Sequence, residues 1–145
     1  MSEIIYIASD HGGYNLKNHI IEYFVKNNIK YEDLGCYSEE SCDYPDYAKK
    51  AVTKVLENSS RGILICGTGI GMSISANRYK GVRASLCGDT FSARMTRLHN
   101  NSNILCLGER VIGKGLAIDI VDTWLNTSYE GGRHEYRIEK IEQDS

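Results

Sequence analysis

Five times along the chain, a short β-prone run, almost unbroken and apolar at 4–8 and 62–66, is followed by a longer segment whose apolar residues recur three and four positions apart. The short runs are residues 4–8, 29–34, 62–66, 82–87 and 103–107. A continuous β-prone run is the pattern of a strand covered on both faces, because a strand with one wet face alternates apolar and polar residues. The longer segments are one through Leu16, Ile20, Tyr23 and Phe24, then 47–56, 72–79, 90–99 and 113–125. Their spacing is that of helices with one buried side. Repeated strand–helix alternation predicts a parallel sheet with helices on both faces. The expected fold is α/β: a doubly wound, Rossmann-like three-layer sandwich on a five-stranded parallel sheet. The remainder, 129–145, opens on Gly131-Gly132 and reads as a charged helical tail. No repeat, low-complexity stretch or linker interrupts the pattern, so residues 1–145 are expected to form a single domain, as suits a chain of this length.

Several function classes are disfavoured at this level. Lys+Arg 17 against Asp+Glu 19 gives a formal charge of -2, whereas nucleic-acid binders carry a basic balance or patch. No segment approaches the roughly 18 consecutive apolar residues of a membrane helix. Met1-Ser2-Glu3 lacks the basic start of a secretory signal. The five cysteines (Cys36, Cys42, Cys66, Cys87, Cys106) include no CxxC pair. They read as reduced thiols of a cytoplasmic protein, with no zinc site expected.

In a doubly wound sheet, ligands bind beyond the carboxyl ends of the strands. Three loops are directed there: 9–13, 66–71 and 88–90. In the second, Gly67, Gly69 and Gly71 alternate after a buried strand, so successive N–H groups can converge on an anion ahead of a helix start. A tight turn without a ligand is the competing reading. The loop continues Gly71-Met72-Ser73 and lacks the GK[ST] of a P-loop. Met72 stands where a dinucleotide fingerprint wants glycine; only Asp89, about 20 residues on, fits that pattern.

Cys66 lies between strand and loop, where a helix N-terminus favours a thiolate. Nucleophile, general base and small buried hydrophobe all remain open for it. His11 follows Asp10, which can orient or charge it, and His99 ends a helix, where a protonated imidazole is favoured. His19 reads as structural, and His134 is open between the two readings. Arg133 and Arg137 stand four apart, on one face if helical. That spacing allows a bidentate phosphate clamp, or a solvated face paired with Glu130, Glu135 and Glu139.

Taken together, Ser9-Asp10-His11-Gly12-Gly13, Asp43-Tyr44-Pro45, the stretch 65–71 (ICGTGIG), Arg97-Leu98-His99-Asn100 and the stretch 129–134 (YEGGRH) resemble the type B ribose-5-phosphate isomerases, relatives of the galactose-6-phosphate isomerase subunits. The resemblance covers essentially the whole chain. It implies interconversion of ribose 5-phosphate and ribulose 5-phosphate through an enediolate, without metal or organic cofactor. It also implies a homodimer or dimer of dimers with each active site shared between subunits.

By that resemblance Cys66 is the base moving a proton between C2 and C1. Thr68 and the backbone of Gly67, Gly69, Ile70 and Gly71 stabilise the enediolate. Asp10, His11 and Tyr44 contact the sugar. His99 assists ring opening from the neighbouring subunit, together with Asn100 and Arg110, and Arg133 and Arg137 clamp the phosphate. The residues alone put a bound anion on the glycine loop; the resemblance assigns that loop to the developing oxyanion instead. This division is chemically sensible, since pre-aimed donors lower a barrier most where charge appears only in the transition state. A six-carbon sugar phosphate, such as allose 6-phosphate or galactose 6-phosphate, is the alternative substrate. A non-catalytic nucleotide-binding module on the same fold is the alternative of another class.

Overall fold

The computed structural model describes residues 3–143. Its five strands, β1 (Ile5–Ser9), β2 (Tyr31–Asp33), β3 (Arg61–Cys66), β4 (Ala84–Leu86) and β5 (Ile104–Gly108), form one sheet in the order β2-β1-β3-β5-β4. All four pairings are parallel. Six helices connect and flank the strands: α1 (Tyr14–Lys26), α2 (Tyr44–Asn58), α3 (Ile70–Ala76), α4 (Thr90–Asn100), α5 (Lys114–Leu125) and α6 (Glu135–Gln143). Two 3₁₀ turns, His11–Gly13 and Gly132–His134, lead into α1 and α6. The expected doubly wound α/β fold is the one formed.

The apolar runs conceal an alternation that only a sheet can use. Ile5, Ile7, Ile63, Ile65, Leu105 and Leu107 face α1, α4 and α5, in a core that includes Phe24, Ala93 and Trp124. Tyr6, Ala8, Leu64, Cys66, Ile104 and Cys106 face α2 and α3, packing on Ala48, Val52, Val55 and Met72. Successive strand residues point to opposite faces, so a strand covered twice must be apolar at every position.

The differences from the sequence reading lie at element ends and sheet edges. The edge strands β2 and β4 are three residues each, shorter than the runs 29–34 and 82–87. Their flanks still bond to the one neighbouring strand, Leu34 N–H to Ile7 O at 2.9 Å and Cys87 N–H to Cys106 O at 3.2 Å, beyond the ends of the regular ladder. α2 begins at Tyr44, three residues before the expected segment 47–56, with Pro45 in its first turn; proline suits that position, where its missing N–H has no helical partner. α3 begins at Ile70, so Gly71 belongs to the helix rather than to the loop before it. The tail is a 3₁₀ turn followed by α6, and its last two residues, 144 and 145, lie outside the described residues. No described helix is long and apolar enough to cross a membrane.

One buried ion pair ties α1 to the end of β2. Lys17 is fully buried, and its Nζ donates to both carboxylate oxygens of Asp33 at 2.7 and 2.8 Å. Asp33 in turn accepts the Gly35 N–H at 2.9 Å. Replacing one partner strands the other. Lys17→Met is therefore expected to lower unfolding free energy by about 3 kcal/mol, the low end for a broken buried pair because Asp33 is partly hydrated. Urea denaturation checks this, and a change below about 0.5 kcal/mol, the scale of an ordinary surface substitution, would remove the pair from any anchoring role.

Candidate active site

The strand order reverses between β1 and β3, and the crevice above that switch point is where such sheets hold ligands. β1 ends in Ser9 and leads into Asp10, whose carboxylate accepts the Gly12 N–H at 2.9 Å and caps the 3₁₀ turn. Asp10 N–H donates to Ile65 O at 3.2 Å, joining this loop to β3. Gly13 is required by that approach: a Cβ there would stand 2.5 Å from Ile65 O. His11 Nδ1 accepts the Cys42 N–H at 3.2 Å, so a neutral His11 ring carries its proton on Nε2.

β3 ends at Cys66, which is 5 % exposed on the α2/α3 side of the sheet. Its Sγ accepts the Gly69 N–H at 3.1 Å. Gly69 has φ +80, in the region that favours glycine, and turns the loop back over the sulfur. Thr68 Oγ1 accepts the Ile70 N–H at 3.2 Å. The Tyr44 ring lies against Gly71, where a Cβ would come within 2.7 Å of it.

From the adjoining β5 end, Glu109 N–H donates to Cys66 O at 3.0 Å and Arg110 N–H to Gly67 O at 2.9 Å. The Arg110 guanidinium lies over Gly67. Asp10, His11, Tyr44, Cys66, Gly67, Thr68, Gly69, Ile70, Gly71 and Arg110 thus form one group. Arg110, expected beside His99 and Asn100, instead belongs with the glycine loop of its own chain, because β5 is the direct neighbour of β3.

His99, Asn100, Arg133 and Arg137 form a second group at the other end of the molecule. α4 leaves the carboxyl end of β4, capped by Asp89, whose Oδ1 accepts the Ser92 N–H at 2.6 Å. A helix of 11 residues rises about 16 Å. It must return to the amino ends of the strands because β5 runs parallel to β4. His99 and Asn100 therefore end up a sheet's length from Cys66. The segment after α5 docks beside them: Glu130 N–H donates to Leu98 O at 3.1 Å, and Arg97 Nε to Thr127 O at 3.1 Å. Arg133 lies in the 3₁₀ turn and Arg137 on α6, both exposed. The two arginines therefore do not sit on one regular helix.

His134 is the residue in this second group whose role the sequence left open. Its ring is buried and stacks on His99 with centroids 4.4 Å apart and planes 23° apart. Its Nε2 is 2.7 Å from Glu130 Oε1. This bond is the main cause that holds the Glu130 carboxyl below the usual carboxylate range. Glu130 itself carried no sequence signal beyond its i, i+4 spacing from His134 and the two following glycines. Among the described residues, His99, Glu130 and His134 are the one group of donor atoms close enough together to hold a metal ion, within 4.8 Å of one another. Two nitrogens on a tetrahedral zinc stand about 3.3 Å apart with lone pairs converging. Stacked rings send their in-plane lone pairs side by side, so this arrangement fits a hydrogen-bonded stack better than a ligand set.

The remaining thiols are set apart by their surroundings. Burial, with the nearby Asp89 carboxylate, pushes Cys87 up to about 11. Burial also pushes Cys106 well above the ordinary thiol range. Cys36 Sγ lies 3.3 Å from Ser38 O. Cys42 serves the site through its backbone, by the bond to His11.

A match to the ribose/galactose isomerase family model spans residues 5–141. The chain belongs to that family. The ribose-5-phosphate isomerase B of Escherichia coli K12 is 45% identical over 94% of this chain and 93% of its own length. The structure of a ribose 5-phosphate isomerase from Thermotoga maritima superposes with a TM-score of 0.96 at 55% identity, covering 99% of both chains. That of the ribose-5-phosphate isomerase B of Mycoplasma genitalium, with bound ribulose-5-phosphate, gives a TM-score of 0.94 at 44% identity, over 99% of this chain and 97% of that one.

Gly108 is a site determinant that the sequence pattern passed over. A Cβ on it would lie 2.5 Å from Thr68 O and 2.6 Å from Thr68 C, and backbone cannot yield as a side chain does. A glycine closing a strand next to the loop strand was the available signal. In this family member Gly108→Ala is expected to shift the 67–71 loop and cut turnover about 100-fold, with stability lowered by about 1–3 kcal/mol. Gly115→Ala, where nothing lies within 4 Å, should leave both unchanged. Steady-state kinetics and thermal melts on the two variants check this; full activity in Gly108→Ala would show that the contact is not limiting.

Proposed function

We propose that the chain is an aldose–ketose isomerase interconverting ribose 5-phosphate and ribulose 5-phosphate, with Cys66 as the base. One observation carries the reading. The only side chain at the carboxyl end of the central strand able to move a proton from carbon and back is the Cys66 sulfur, held against Gly69 N–H at 3.1 Å. It lies in a chain whose relative from Mycoplasma genitalium is solved with ribulose-5-phosphate bound.

The chemistry follows from the geometry. A Cys66 thiolate takes the C2 proton of the open-chain aldose, and the C2–H electron pair passes into the C1–C2 bond while the carbonyl oxygen becomes an oxyanion. The Thr68 hydroxyl and the loop N–H groups other than those of Gly69 and Ile70, which Cys66 Sγ and Thr68 Oγ1 already hold, are the donors assigned to that charge, and donors fixed before the reaction need no reorganisation during it. The first-turn N–H groups of α3 have no helical acceptors and add to the same field. The O2–H proton passes to O1, and Cys66 then returns its proton to C1 as the O2 electron pair re-forms a carbonyl at C2, giving the ketose. Asp10, His11 and Tyr44 hold the sugar, and Arg110 faces the loop from β5. No step calls for a metal or an organic cofactor.

The second group completes the site from another copy of the chain. His99 and Asn100 close α4, about 16 Å along it from the end that faces the crevice, and Arg133 and Arg137 lie on the segment docked beside them, too far to act on a sugar held at their own Cys66. In a homodimer with a shared site, the arginines of one protomer clamp the phosphate and His99 assists ring opening over the partner's Cys66. A conspicuous apolar surface beside the crevice supports self-association: Ile70 and Ile74 on one face of α3, Leu86 on the edge strand and Phe91 at the start of α4 are 52, 62, 43 and 65 % exposed. We further propose that the enzyme acts as a single domain and in the cytoplasm, where five free thiols stay reduced.

Incubation with ribose 5-phosphate in D₂O should yield ketose and deuterium at the exchanging carbon. Cys66→Ala should lower both by about a thousandfold or more while phosphosugar binding, read by calorimetry, persists. An active Cys66→Ala enzyme would sink the thiol assignment, and faster turnover of allose 6-phosphate or galactose 6-phosphate would move the substrate to six carbons. For the shared site, a chain lacking Cys66 is mixed and reassociated with one lacking His99. Heterodimers then carry one intact site in two, and activity should recover toward about a quarter of wild type. No recovery would place the whole site within one protomer.

A further inference from the structure

We propose that Glu130 and His134 are a positioning pair for His99, clamping its ring in the orientation that ring opening of the furanose phosphate requires; this rests on the isomerase reading above. The backbone is bent to bring the pair there. Gly131 and Gly132 take φ +75 and +62, and the turn they make presents Glu130 and His134 together to the end of α4. The anchor is double, since the Glu130 N–H holds Leu98 O at 3.1 Å and the Glu130 carboxylate holds His134 Nε2 at 2.7 Å. Between the exposed Arg133 and Arg137, His134 alone is turned inward, at 6 % exposure.

An imidazole at a helix end rotates easily about its outer torsion, whose energy wells are broad. The His134 face, stacked on it at 4.4 Å, removes that freedom, and His134 is itself kept from turning by Glu130. The catalytic group gains alignment without giving up either of its own nitrogens. Ring opening demands such alignment. The C1–O4 bond breaks as O4 takes a proton from His99, and the anomeric O1–H passes its proton to a carboxylate base, Asp10 being the one at the sugar end, leaving the C1 aldehyde. The donor must meet O4 within hydrogen-bond reach and along its lone pair, and small misplacements are expensive in rate.

The test separates ring opening from proton transfer at carbon. Ribulose 5-phosphate cannot close to a furanose because its O5 is esterified, so deuterium uptake at its C1 in D₂O requires Cys66 but no ring opening. Net conversion of ribose 5-phosphate requires both. Glu130→Ala is expected to slow net conversion about tenfold while C1 exchange stays within about twofold of wild type. His134→Ala should behave the same way. Glu130→Gln keeps an acceptor oxygen for His134 and should restore conversion to within about threefold of wild type. Glu130 is exposed, so that pair of variants stays informative even if the buried His134 change perturbs folding. Equal losses in conversion and exchange, no loss in either, or a Gln variant as slow as Ala would overturn the positioning role. A wild-type protein inactive in both assays would instead overturn the isomerase reading itself.

Discussion

All five strands run in the same direction, and the backbone hydrogen bonds that enforce this also decide where chemistry can occur. β3 is paired on one side with β1 and on the other with β5, so three carboxyl ends stand side by side. Each passes something to its neighbour: Asp10 N–H to Ile65 O from β1, Glu109 and Arg110 N–H to Cys66 and Gly67 O from β5. The loop after Cys66 is therefore gripped from both flanks, and glycines at 13 and 108 permit the close approach. A sulfur and a ring of N–H groups held this way are preorganised, which is where most electrostatic catalysis originates.

The same parallelism has a second consequence. A helix linking two parallel strands must travel back the length of the sheet, so whatever it carries at its end is delivered to the wrong pole of the protomer. His99 and Asn100 are in that position, and the 127–137 segment gathers His134, Arg133 and Arg137 around them. Under the shared-site reading proposed above, these two groups are the complementary halves that copies of the chain bring together. On that reading the exposed apolar residues beside the crevice supply the driving force, since burial of apolar area is the main one for association.

Much of this was legible in the sequence because the signals were local. Short β-prone runs followed by helical periodicity identified the five strands and α1 to α5, a charged tail pointed to α6, and alternating glycines after a buried strand identified the loop. What was misread depends on contacts between distant residues. The runs at 29–34 and 82–87 outlast the regular edge strands by a few residues, and what those flanks bond to is a neighbouring strand distant in the chain. The periodic segment 47–56 omits the first turn of α2, where Tyr44 lies against Gly71 from a distant part of the chain. Arg110 was grouped with His99, and only the adjacency of β5 to β3 reassigns it. The stack of His134 on His99 joins residues 35 positions apart in the chain, and no periodicity reports such a contact.

The sequence by itself determined the fold class, the thiol with its glycine loop, and the family, because these rest on residue type and on spacings within one strand–helix unit. Only the tertiary structure decided how those residues divide. It set Arg110 with the loop, put His99 and the arginines at the opposite pole, and turned His134 inward against His99 under Glu130. The reason is geometric. Strand order and helix direction are set by which surfaces pack best across the whole sheet, and that choice sums over contacts between residues far apart in the chain.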